Sequence, residues 1–414
     1  MTNEYDIAVI GGGAAGTMAA IRASLLNKKV VLIERNDSIG KKILMTGKGR
    51  CNITNAAPVD TFIEKFGKQG NFLRSAFFAF FNDDLIDFFK SKGLELKVER
   101  QGRVFPATDS ARSITEVLAR YLSENNVEIR YNTRVSTLKQ KDGCFELGLE
   151  PGGVVRAKKV ILATGGASYK TTGSTGDGFH MAEELGHAVV PLKAALVPLR
   201  TRETWVKDLQ GLSLENVRIS FECGKKKITS SVGELIFTHF GVSGPLVLDL
   251  SGDMVAMLEG HKEARLFIDL KPGLKSEQLE SKLMHKFSIR GTMTIKNLLK
   301  DLLPMRLIDV FTHLLDISPN TKASQVTQKA RRSLVSLFKA FPLTITGPLP
   351  LEEAMVTAGG VSTKQIDPRT MESKIVPGLY FAGEVIDGAA SSGGYNLQQA
   401  FSTGYLAGES SAYA

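Results

Sequence analysis

The chain has 414 residues, of which 43% are hydrophobic and 23% charged, and its formal net charge is +9. This composition is that of a globular protein with two or three domains, and it excludes a low-complexity or disordered chain. No apolar run reaches the ~20 residues that cross a bilayer, and the acidic start MTNEYD is unlike a secretory signal, so we expect a cytoplasmic protein. Three widely separated cysteines exclude a disulfide framework and a zinc site.

The first part of the chain predicts a strand, a helix and a second strand. The strands cover residues 5–10 and 29–33, and the helix covers about 14–27. Short apolar runs predict the strands, and the longer segment between them predicts the helix. The pattern is that of a βαβ unit, which begins many nucleotide-binding domains.

The turn inside this unit, GGGAAG, carries the GxGxxG pattern. Gly11 permits a tight turn, Gly13 lets backbone amides approach a pyrophosphate, and Gly16 lets the helix lie close to the strand. Glu34 ends the second strand, where its carboxylate can accept hydrogen bonds from ribose hydroxyls. A glycine turn also occurs in doubly wound sheets that bind no dinucleotide. Here the strand, the helix and the acid all have the expected spacing, which predicts a dinucleotide site.

Two later segments favour FAD over NAD. The segment IVPGLYFAGEV predicts a strand that ends at Gly383 and Glu384, before a glycine-rich loop and a helix that begins near Tyr395. The segment KKVILATGG predicts a buried strand that runs into Thr164 and Gly165. FAD reaches across a sheet, so it needs a second polar strand end and a helix N-terminus that stabilises the negative charge of the reduced flavin.

Six motifs together resemble one family of bacterial flavoproteins. They are GGGAAG, GKGRCNITN, GRVFPATDSA, GELIFTHFGVSGP, VTAGGVS and GGYNLQQA, in this order along nearly the whole chain. The family includes aminoacetone oxidases, reductases of bile-acid enones and dihydrouridine synthases of ribosomal RNA. The resemblance implies an FAD-dependent NAD(P)H oxidoreductase without choosing among these substrates.

The resemblance also implies an α/β fold, in which a Rossmann-like FAD-binding domain is interrupted by a barrel-like β insertion that itself carries a helical insertion. The chain shows the same change independently, because short β segments replace the α/β alternation after Gly186 and helical apolar spacing follows. The expected domains are the FAD-binding domain at 1–190 and 350–414, the β insertion at 191–270 with a return strand at 341–349, and the helical insertion at 271–340.

Further residues are expected around the cofactor, in addition to the three glycines and Glu34. They are Ala14, Ala15, Arg35, Lys42, Gly47, Arg50, Asn52, Val135, Thr164, Gly165, Gly383, Glu384, Gly394, Asn396 and Leu397. No group of residues predicts a metal site.

The segment GKGRCNITN lies beside the flavin in the family that the chain resembles. Its glycines let the main chain curve, and Lys48 and Arg50 can face a phosphate or a substrate carbonyl. Asn52 and Asn55 can fix the loop by Asx turns. The segment is therefore either a clamp for the cofactor or a part of the catalytic site.

Reduction of a C=C bond by hydride transfer requires an acid that protonates the α carbon. Cys51 is the first candidate, and the positive charge of its neighbours is expected to lower the pKa of its thiol. His239 is the main competitor, since imidazole titrates near neutrality; its alternative is a structural histidine in the β insertion. Arg50 and Arg103 can polarise a carbonyl, and Tyr169 is a further possible proton donor.

The source of electrons is predicted from an absence in the sequence. There is no second GxGxxG pattern with a following strand and acid, and hence no separate NAD domain. NAD(P)H is therefore expected to visit the substrate cleft transiently, which implies ping-pong kinetics. The alternative is an oxidase, in which the substrate reduces the flavin and oxygen reoxidises it.

Positive charge is concentrated in one segment. Residues 261–340 hold 15 Lys and Arg against 7 Asp and Glu, which is +8 of the chain's +9. Such a segment suits a phosphate backbone, although a solvated helical face has the same composition. The leading hypothesis is reduction of a uracil in ribosomal RNA. The alternatives are a small steroid-like enone, an aminoacetone-type amine and, as a non-enzyme, a flavin-stabilised RNA-binding protein.

Overall fold

The computed structural model describes residues 4–413. The strands are β1 Glu4–Ile10, β2 Val30–Ile33, β3 Thr54–Asn55, β4 Leu96–Val98, β5 Arg103–Pro106, β6 Glu128–Arg130, β7 Arg134–Lys141, β8 Cys144–Glu150, β9 Val154–Leu162, β10 Val189–Ala195, β11 Leu199–Thr201, β12 Ser213–Cys223, β13 Lys226–Thr229, β14 Gly233–Phe237, β15 Gly241–Ser243, β16 Ala264–Asp269, β17 Phe341–Pro348, β18 Val356–Val361 and β19 Leu379–Phe381. The α-helices are α1 Ala14–Leu25, α2 Lys41–Met45, α3 Val59–Lys65, α4 Gly70–Ala79, α5 Asn82–Lys90, α6 Ala111–Glu124, α7 Asp177–Glu184, α8 Pro245–Leu258, α9 Ser276–Ile289, α10 Ile295–Leu299, α11 Met305–Leu314, α12 Gln328–Lys339 and α13 Tyr395–Tyr413.

The chain divides into two compact units. The first, here called the sheet unit, extends to Ala195 and resumes at Pro350. The second, the barrel unit, is Leu196–Leu349. The chain thus leaves the sheet unit once, forms the barrel unit and returns.

A seven-stranded sheet in the order β6-β2-β1-β9-β8-β7, with β19 also beside β9, organises the sheet unit. Strands β6, β2, β1, β9 and β19 pair in parallel, whereas β8 is antiparallel to both β9 and β7. The carboxyl ends of the parallel strands therefore meet at one edge, where open α/β sheets bind their ligands. The predicted Rossmann-like class is confirmed.

Helices α1 and α13 pack with their backbones in close approach. A Cβ atom added at Gly404 would lie 2.3 Å from the Ala15 carbonyl oxygen, and one at Gly408 would lie 2.5 Å from that of Ala19. No real side chain tolerates such distances, so glycine is required at both positions of α13. This packing fixes the start of α13 relative to the turn between β1 and α1.

The barrel unit contains a closed antiparallel barrel. Strand β12 pairs with both β14 and β16, and the pairings β14-β15-β11-β17-β16 complete the circle, while β13 pairs with the C-terminal part of β12. Closure leaves no exposed edge among the six barrel strands. The predicted barrel-like β insertion is confirmed.

Helices α9 to α12 lie between β16 and β17 in the chain and share the hydrophobic core of the barrel. Phe311 of α11 stacks on Phe341 of β17 with ring centroids 5.3 Å apart, and its ring also meets the edge of Phe338 of α12. The helical segment therefore depends on the barrel for its stability.

Within the described residues, no helix has the length and apolar character needed to pass through a lipid bilayer.

We predict opposite effects of alanine at two helical glycines. Gly404→Ala should destabilise the protein by about 1–3 kcal/mol, because the new methyl group meets a backbone atom that cannot move alone. Gly252→Ala is the matched control: Gly252 lies in α8 and is exposed, and a Cβ there meets no atom within 4 Å. The control should stabilise by up to about 1 kcal/mol. Urea unfolding measures both, and equal stability of Gly404→Ala and the parent would contradict the close helix packing.

Candidate cofactor and active site

A large cleft opens at the carboxyl edge of the parallel strands of the sheet unit. It encloses about 1280 Å³ of space between protein atoms, including the part that is open to solvent. Its walls come from the turn after β1, the ends of β2, β9 and β19, residues 172–175 with Asp177, and the start of α13. The cleft lies where open α/β sheets bind a dinucleotide.

The glycine turn shows which glycines serve the fold and which serve a ligand. A Cβ at Gly11, where φ is +104°, would lie 2.5 Å from the Ala163 carbonyl oxygen, and one at Gly16 would lie 1.8 Å from that of Gly11. Gly13 is different, because it is extended (φ −79°, ψ −169°) and a Cβ there meets no protein atom within 4 Å. Gly13 lines the cleft, so its missing side chain leaves space for a ligand.

Glu34 is buried at the end of β2 and faces the same cleft. Its Oε2 accepts a hydrogen bond of 2.6 Å from the Gly12 amide, and its Oε1 accepts from the backbone and side-chain nitrogens of Asn36 at 2.8 and 2.6 Å. Oε2 thus accepts one bond and keeps capacity for another. A ribose hydroxyl could donate to it, and the ribose-binding role of Glu34 stays a prediction.

The end of β19 contributes a second carboxylate. The Lys42 ammonium lies 2.6 Å from Glu384 Oε2 and donates to Ser168 Oγ at 2.8 Å. Glu384 Oε1 accepts from the Thr357 amide at 2.7 Å. These bonds connect α2, the segment after β9, the start of β18 and the segment after β19 around one wall of the cleft.

Thr164 adds a chemical reason to expect a ligand. Its hydroxyl is buried and has no hydrogen-bond partner among the described residues, and the residue lines the cleft. Leaving a buried hydroxyl without a partner costs about 1–3 kcal/mol. A polar cofactor can supply the partner, so the open space at Gly13, the Glu34 acceptor and the Thr164 hydroxyl all fit FAD. When bound, FAD supplies two-electron hydride chemistry.

Most of the expected cofactor contacts line the cleft. These are Gly11, Gly13, Ala14, Ala15, Glu34, Arg35, Lys42, Val135, Thr164, Gly165, Gly383, Glu384, Asn396 and Leu397. The structure places the others elsewhere: Gly16, Gly47, Arg50, Asn52 and Gly394 are not among the lining residues. Gly16 serves the packing of α1, as described above.

One wall of the cleft was not predicted from the sequence. Residues 172–175 and Asp177 line it, and the Arg35 guanidinium donates to Thr175 Oγ1 at 2.6 Å and lies 3.3 Å from Asp177. The letters GSTGDG follow the third predicted strand and lead into α7. This second glycine-rich turn was the signal that could have identified the wall.

The segment GKGRCNITN joins the C-terminal turn to the rest of the sheet unit. Asn55 Nδ2 donates to the Gly393 carbonyl oxygen at 3.0 Å, and Thr54 Oγ1 donates to Gln398 Oε1 at 2.6 Å. A Cβ at Gly394 would lie 2.3 Å from the Thr54 carbonyl oxygen. Gly394 is therefore explained by packing against this segment, which positions the start of α13.

The asparagines of this segment differ. Asn55 Oδ1 accepts from the Ala57 amide at 3.0 Å, which is the expected Asx turn. Asn52 Oδ1 is buried and has no hydrogen-bond partner among the described residues, so the Asx turn expected at Asn52 is not formed. Gly47 adopts φ +57°, and a Cβ there would lie 2.8 Å from the Asn52 amide nitrogen. Gly47 thus serves the tight turn.

Arg50 has other partners than a phosphate or a carbonyl. Its guanidinium forms ion pairs with Glu99 and Asp109 and lies 4.2 Å from the ring centroid of Phe105. The expectation that this cation faces the cofactor is therefore corrected. Two carboxylates and an aromatic ring already occupy it.

Cys51 is fully buried in the hydrophobic core of the sheet unit and does not line the cleft. Burial raises the pKa of its thiol to about 12, against a smaller lowering by the hydrogen bond with Thr46. The expected lowering of this pKa is wrong, because desolvation outweighs the neighbouring cation, which pairs with carboxylates instead. Its role as a proton donor stays a prediction.

The other catalytic candidates are also described. His239 is an exposed residue of the barrel unit, and its ring lies edge-on to Phe240 with centroids 4.9 Å apart. Arg103 Nε donates to the Arg100 carbonyl oxygen at 3.2 Å, and burial raises the pKa of Tyr169. Their catalytic roles stay predictions. No group of side chains that could hold a metal ion occurs in residues 4–413.

The fold and the cleft define an FAD-dependent oxidoreductase of the Rossmann type. A profile of the family described as "HI0933-like protein Rossmann domain" matches residues 5–410. The chain belongs to this family, and the predicted family, cofactor and enzymatic nature are confirmed. The non-enzymatic alternative is set aside.

Full-length relatives carry two different names. The chain is 34% identical over 408 residues to the 3-dehydro-bile acid delta(4,6)-reductase of Clostridium scindens, covering 98% of each chain. It is 32% identical over 413 residues to the ribosomal RNA dihydrouridine synthase of Escherichia coli, covering 97% of this chain and 96% of that one. Its fold is similar to that of 3-ketosteroid delta1-dehydrogenase from Sterolibacterium denitrificans, with a TM-score of 0.52, 14% identity, and coverage of 99% of this chain and 100% of that one.

We predict that Gly13→Val abolishes FAD binding without disturbing the fold. Valine adopts the extended backbone found at Gly13, and its Cβ would meet no protein atom within 4 Å, yet its side chain would occupy the space left for the pyrophosphate. The variant should purify colourless, with the circular dichroism spectrum and the melting temperature of the parent stripped of FAD. Stoichiometric FAD in the purified variant, measured by absorbance after acid precipitation, would show that the pyrophosphate lies elsewhere.

Proposed function

We propose that the protein is a cytoplasmic reductase that takes electrons from NAD(P)H and saturates a C=C bond conjugated with a carbonyl group. The observation that carries the proposal is the cleft of the FAD-binding fold in a chain whose full-length relatives are named for two such reductions. A dienone of a 3-dehydro bile acid and a uracil both present an electron-poor β carbon. One site chemistry therefore serves both substrates.

NAD(P)H must reach the same cleft under this proposal. Within residues 4–413, one turn between a strand and a helix carries the GxGxxG pattern, and it belongs to the FAD site. Reductant and substrate therefore bind in turn, and the expected kinetics are ping-pong. An oxidase would differ, because oxygen rather than the unsaturated substrate would reoxidise the flavin.

We favour a uracil in ribosomal RNA as the substrate, on the positive charge of residues 261–340. Part of this charge is compensated: Asp301 pairs with Lys286 and Arg290, and Asp309 pairs with Lys296. Each of these cations has a carboxylate partner and offers less to a phosphate. The capacity of this segment to bind a phosphate backbone therefore depends on its exposed cations that have no carboxylate partner.

Lys282 of α9 and Lys329 and Arg332 of α12 are exposed, and none has an ion pair in the described part of the chain. Arg331, between the last two, is instead structural: it lies 5.0 Å from the ring centroid of Phe287 and donates to the Val326 carbonyl oxygen at 3.0 Å. We propose that these three cations of α9 and α12 contact the phosphate backbone. A small steroid-like enone is the second candidate, supported by the 34% identity to the bile-acid reductase.

The proposed reaction is tested with the FAD-loaded protein under anaerobic conditions. NADPH or NADH should bleach the flavin absorbance, and a uracil-containing fragment of ribosomal RNA should restore it while dihydrouridine forms. A 4,6-dien-3-one steroid is the parallel arm. Reoxidation by the steroid alone would move the enone to first place. If neither substrate reoxidises the flavin, an amine reduces it and oxygen reoxidises it rapidly, the protein is an oxidase and not a reductase.

The basic surface is tested with two charge-matched variants. Reversal of Lys329 and Arg332 to Glu should weaken RNA binding and reduce the log–log salt slope by about one unit for each phosphate that the variant no longer binds. The control reverses Lys139 and Lys141, two exposed lysines of β7 without an ion pair among the described residues, and should bind nearly as the parent does. FAD content and NADPH oxidation with a small acceptor should stay unchanged in both. Equal weakening by both variants would show non-specific attraction, and no weakening by either would contradict the RNA surface.

A further inference from the structure

One carboxyl group next to the cleft has no role in the site described so far. Asp387 follows the turn Gly383–Val385 after β19, and its neighbour Gly388 lines the cleft. The residue is partly buried, so its carboxyl group is neither in the core nor freely solvated. Asp387 is not itself among the lining residues, and it stands next in the chain to one that is.

Neutral partners hold Asp387 in place. Its Oδ2 accepts a hydrogen bond of 2.9 Å from Gln69 Nε2, and its amide donates to the Val361 carbonyl oxygen at 3.0 Å. A Cβ at Gly388 would lie 3.2 Å from the Gln69 Cβ, so Gln69 also packs against the cleft-lining residue itself. The carboxyl group is thereby oriented without being neutralised by a cation.

The electrostatics of Asp387 differ from those of the other acids. Burial raises the pKa of its carboxyl group, the hydrogen bond from Gln69 lowers it less, and no charged group contributes. The other described carboxyl groups with a resolved shift all have a lowered pKa and a Lys or Arg partner; they are Asp6, Asp37, Asp109, Glu128, Asp177, Asp301, Glu352 and Asp367. Acids with a raised pKa beside a cleft are typical of proton donors.

We propose that Asp387 is the acid that protonates the α carbon of the substrate. The proposal rests on the reductase function proposed above and names a catalytic residue for it. Bound FAD in its reduced form would supply a hydride to the β carbon of the substrate, and the π electrons of the C=C bond would move toward the carbonyl oxygen. The O–H bond of Asp387 then breaks as the new C–H bond forms at the α carbon, and solvent returns a proton to the carboxylate.

This assignment competes with Cys51. A thiol with a pKa of about 12 is a weak acid, and Cys51 is fully buried outside the lining of the cleft. Asp387 does not line the cleft either, but it is partly exposed and adjoins Gly388, which does, so it can exchange its proton with solvent in each turnover. The geometry therefore favours the carboxyl group over the thiol.

The kinetic test compares Asp387→Asn with Cys51→Ala in the FAD-loaded protein. Asparagine keeps the shape and can still accept from Gln69, but it has no acidic proton. Asp387→Asn should bind FAD and be reduced by NADPH as the parent is, while reoxidation by the unsaturated substrate slows by about a hundredfold or more. Asp387→Glu should recover part of the rate, and Cys51→Ala should react at close to the parental rate. A slow Cys51→Ala with an unimpaired Asp387→Asn would overturn the proposal in favour of the thiol.

A second readout does not depend on turnover. Because the pKa of Asp387 is raised in the folded state, its contribution to stability is present at low pH and is lost as the pH rises through the folded pKa. Asp387→Asn should therefore melt above the parent at neutral pH, and the difference should shrink toward about pH 4, near the ordinary pKa of Asp. A difference that does not change with pH would overturn the raised pKa and with it the proposal. A parent that no unsaturated substrate reoxidises would instead overturn the proposed function, and the assignment of Asp387 would fall with it.

Discussion

The close approach of backbone to backbone at the first turn is the constraint on which the sheet unit depends. Gly11 lies against the carbonyl of Ala163 at the end of β9, and Gly16 lies against the carbonyl of Gly11. These contacts bring α1 onto β1 and β9, and the glycines of α13 then bring that helix onto α1. Because atoms at van der Waals distance leave no freedom, the strand ends, the turn and the start of α13 are fixed around one cleft. The cofactor site is a consequence of this packing.

The charged groups around the cleft fall into two kinds: ion pairs that hold its walls, and a carboxyl group that we propose as the proton donor. Glu384 is paired with Lys42, and Arg35 with Asp177, so these ions hold the walls in place. Asp387 has an amide partner and, among residues 4–413, no cation in an ion pair with it. A partly buried carboxyl group without a cation is held in its neutral form more easily, and a neutral acid has a proton to give. Partial burial without a cation destabilises the charged form of a carboxyl group. The same surroundings therefore suit a group that has to keep a proton and transfer it.

The segment GKGRCNITN holds the C-terminal turn in place, a role that its sequence did not predict. Its cation Arg50 is engaged by two carboxylates, its thiol is in the core, and its polar residues Thr54 and Asn55 hold the C-terminal turn. The segment therefore acts on the cleft through the position of α13. The relatives with which the chain shares its fold differ in the substrates for which they are named, so a scaffold that fixes the cofactor while the substrate varies is what the family requires.

The sequence by itself determined the features that depend on neighbours in the chain. The βαβ unit, the three glycines with Glu34, and the strand ends at Thr164 and Glu384 follow from local apolar runs and turn residues, and they led to FAD before any distance was known. The tertiary structure alone decided the features that depend on contacts between distant residues. Desolvation in the core raises the pKa of Cys51. Arg50 forms ion pairs with Glu99 and Asp109, which belong to other segments. Asp387 accepts a hydrogen bond from Gln69, which is 318 positions away in the chain. Burial and long-range pairing depend on the packing of the whole molecule, so they cannot be predicted from a local sequence pattern.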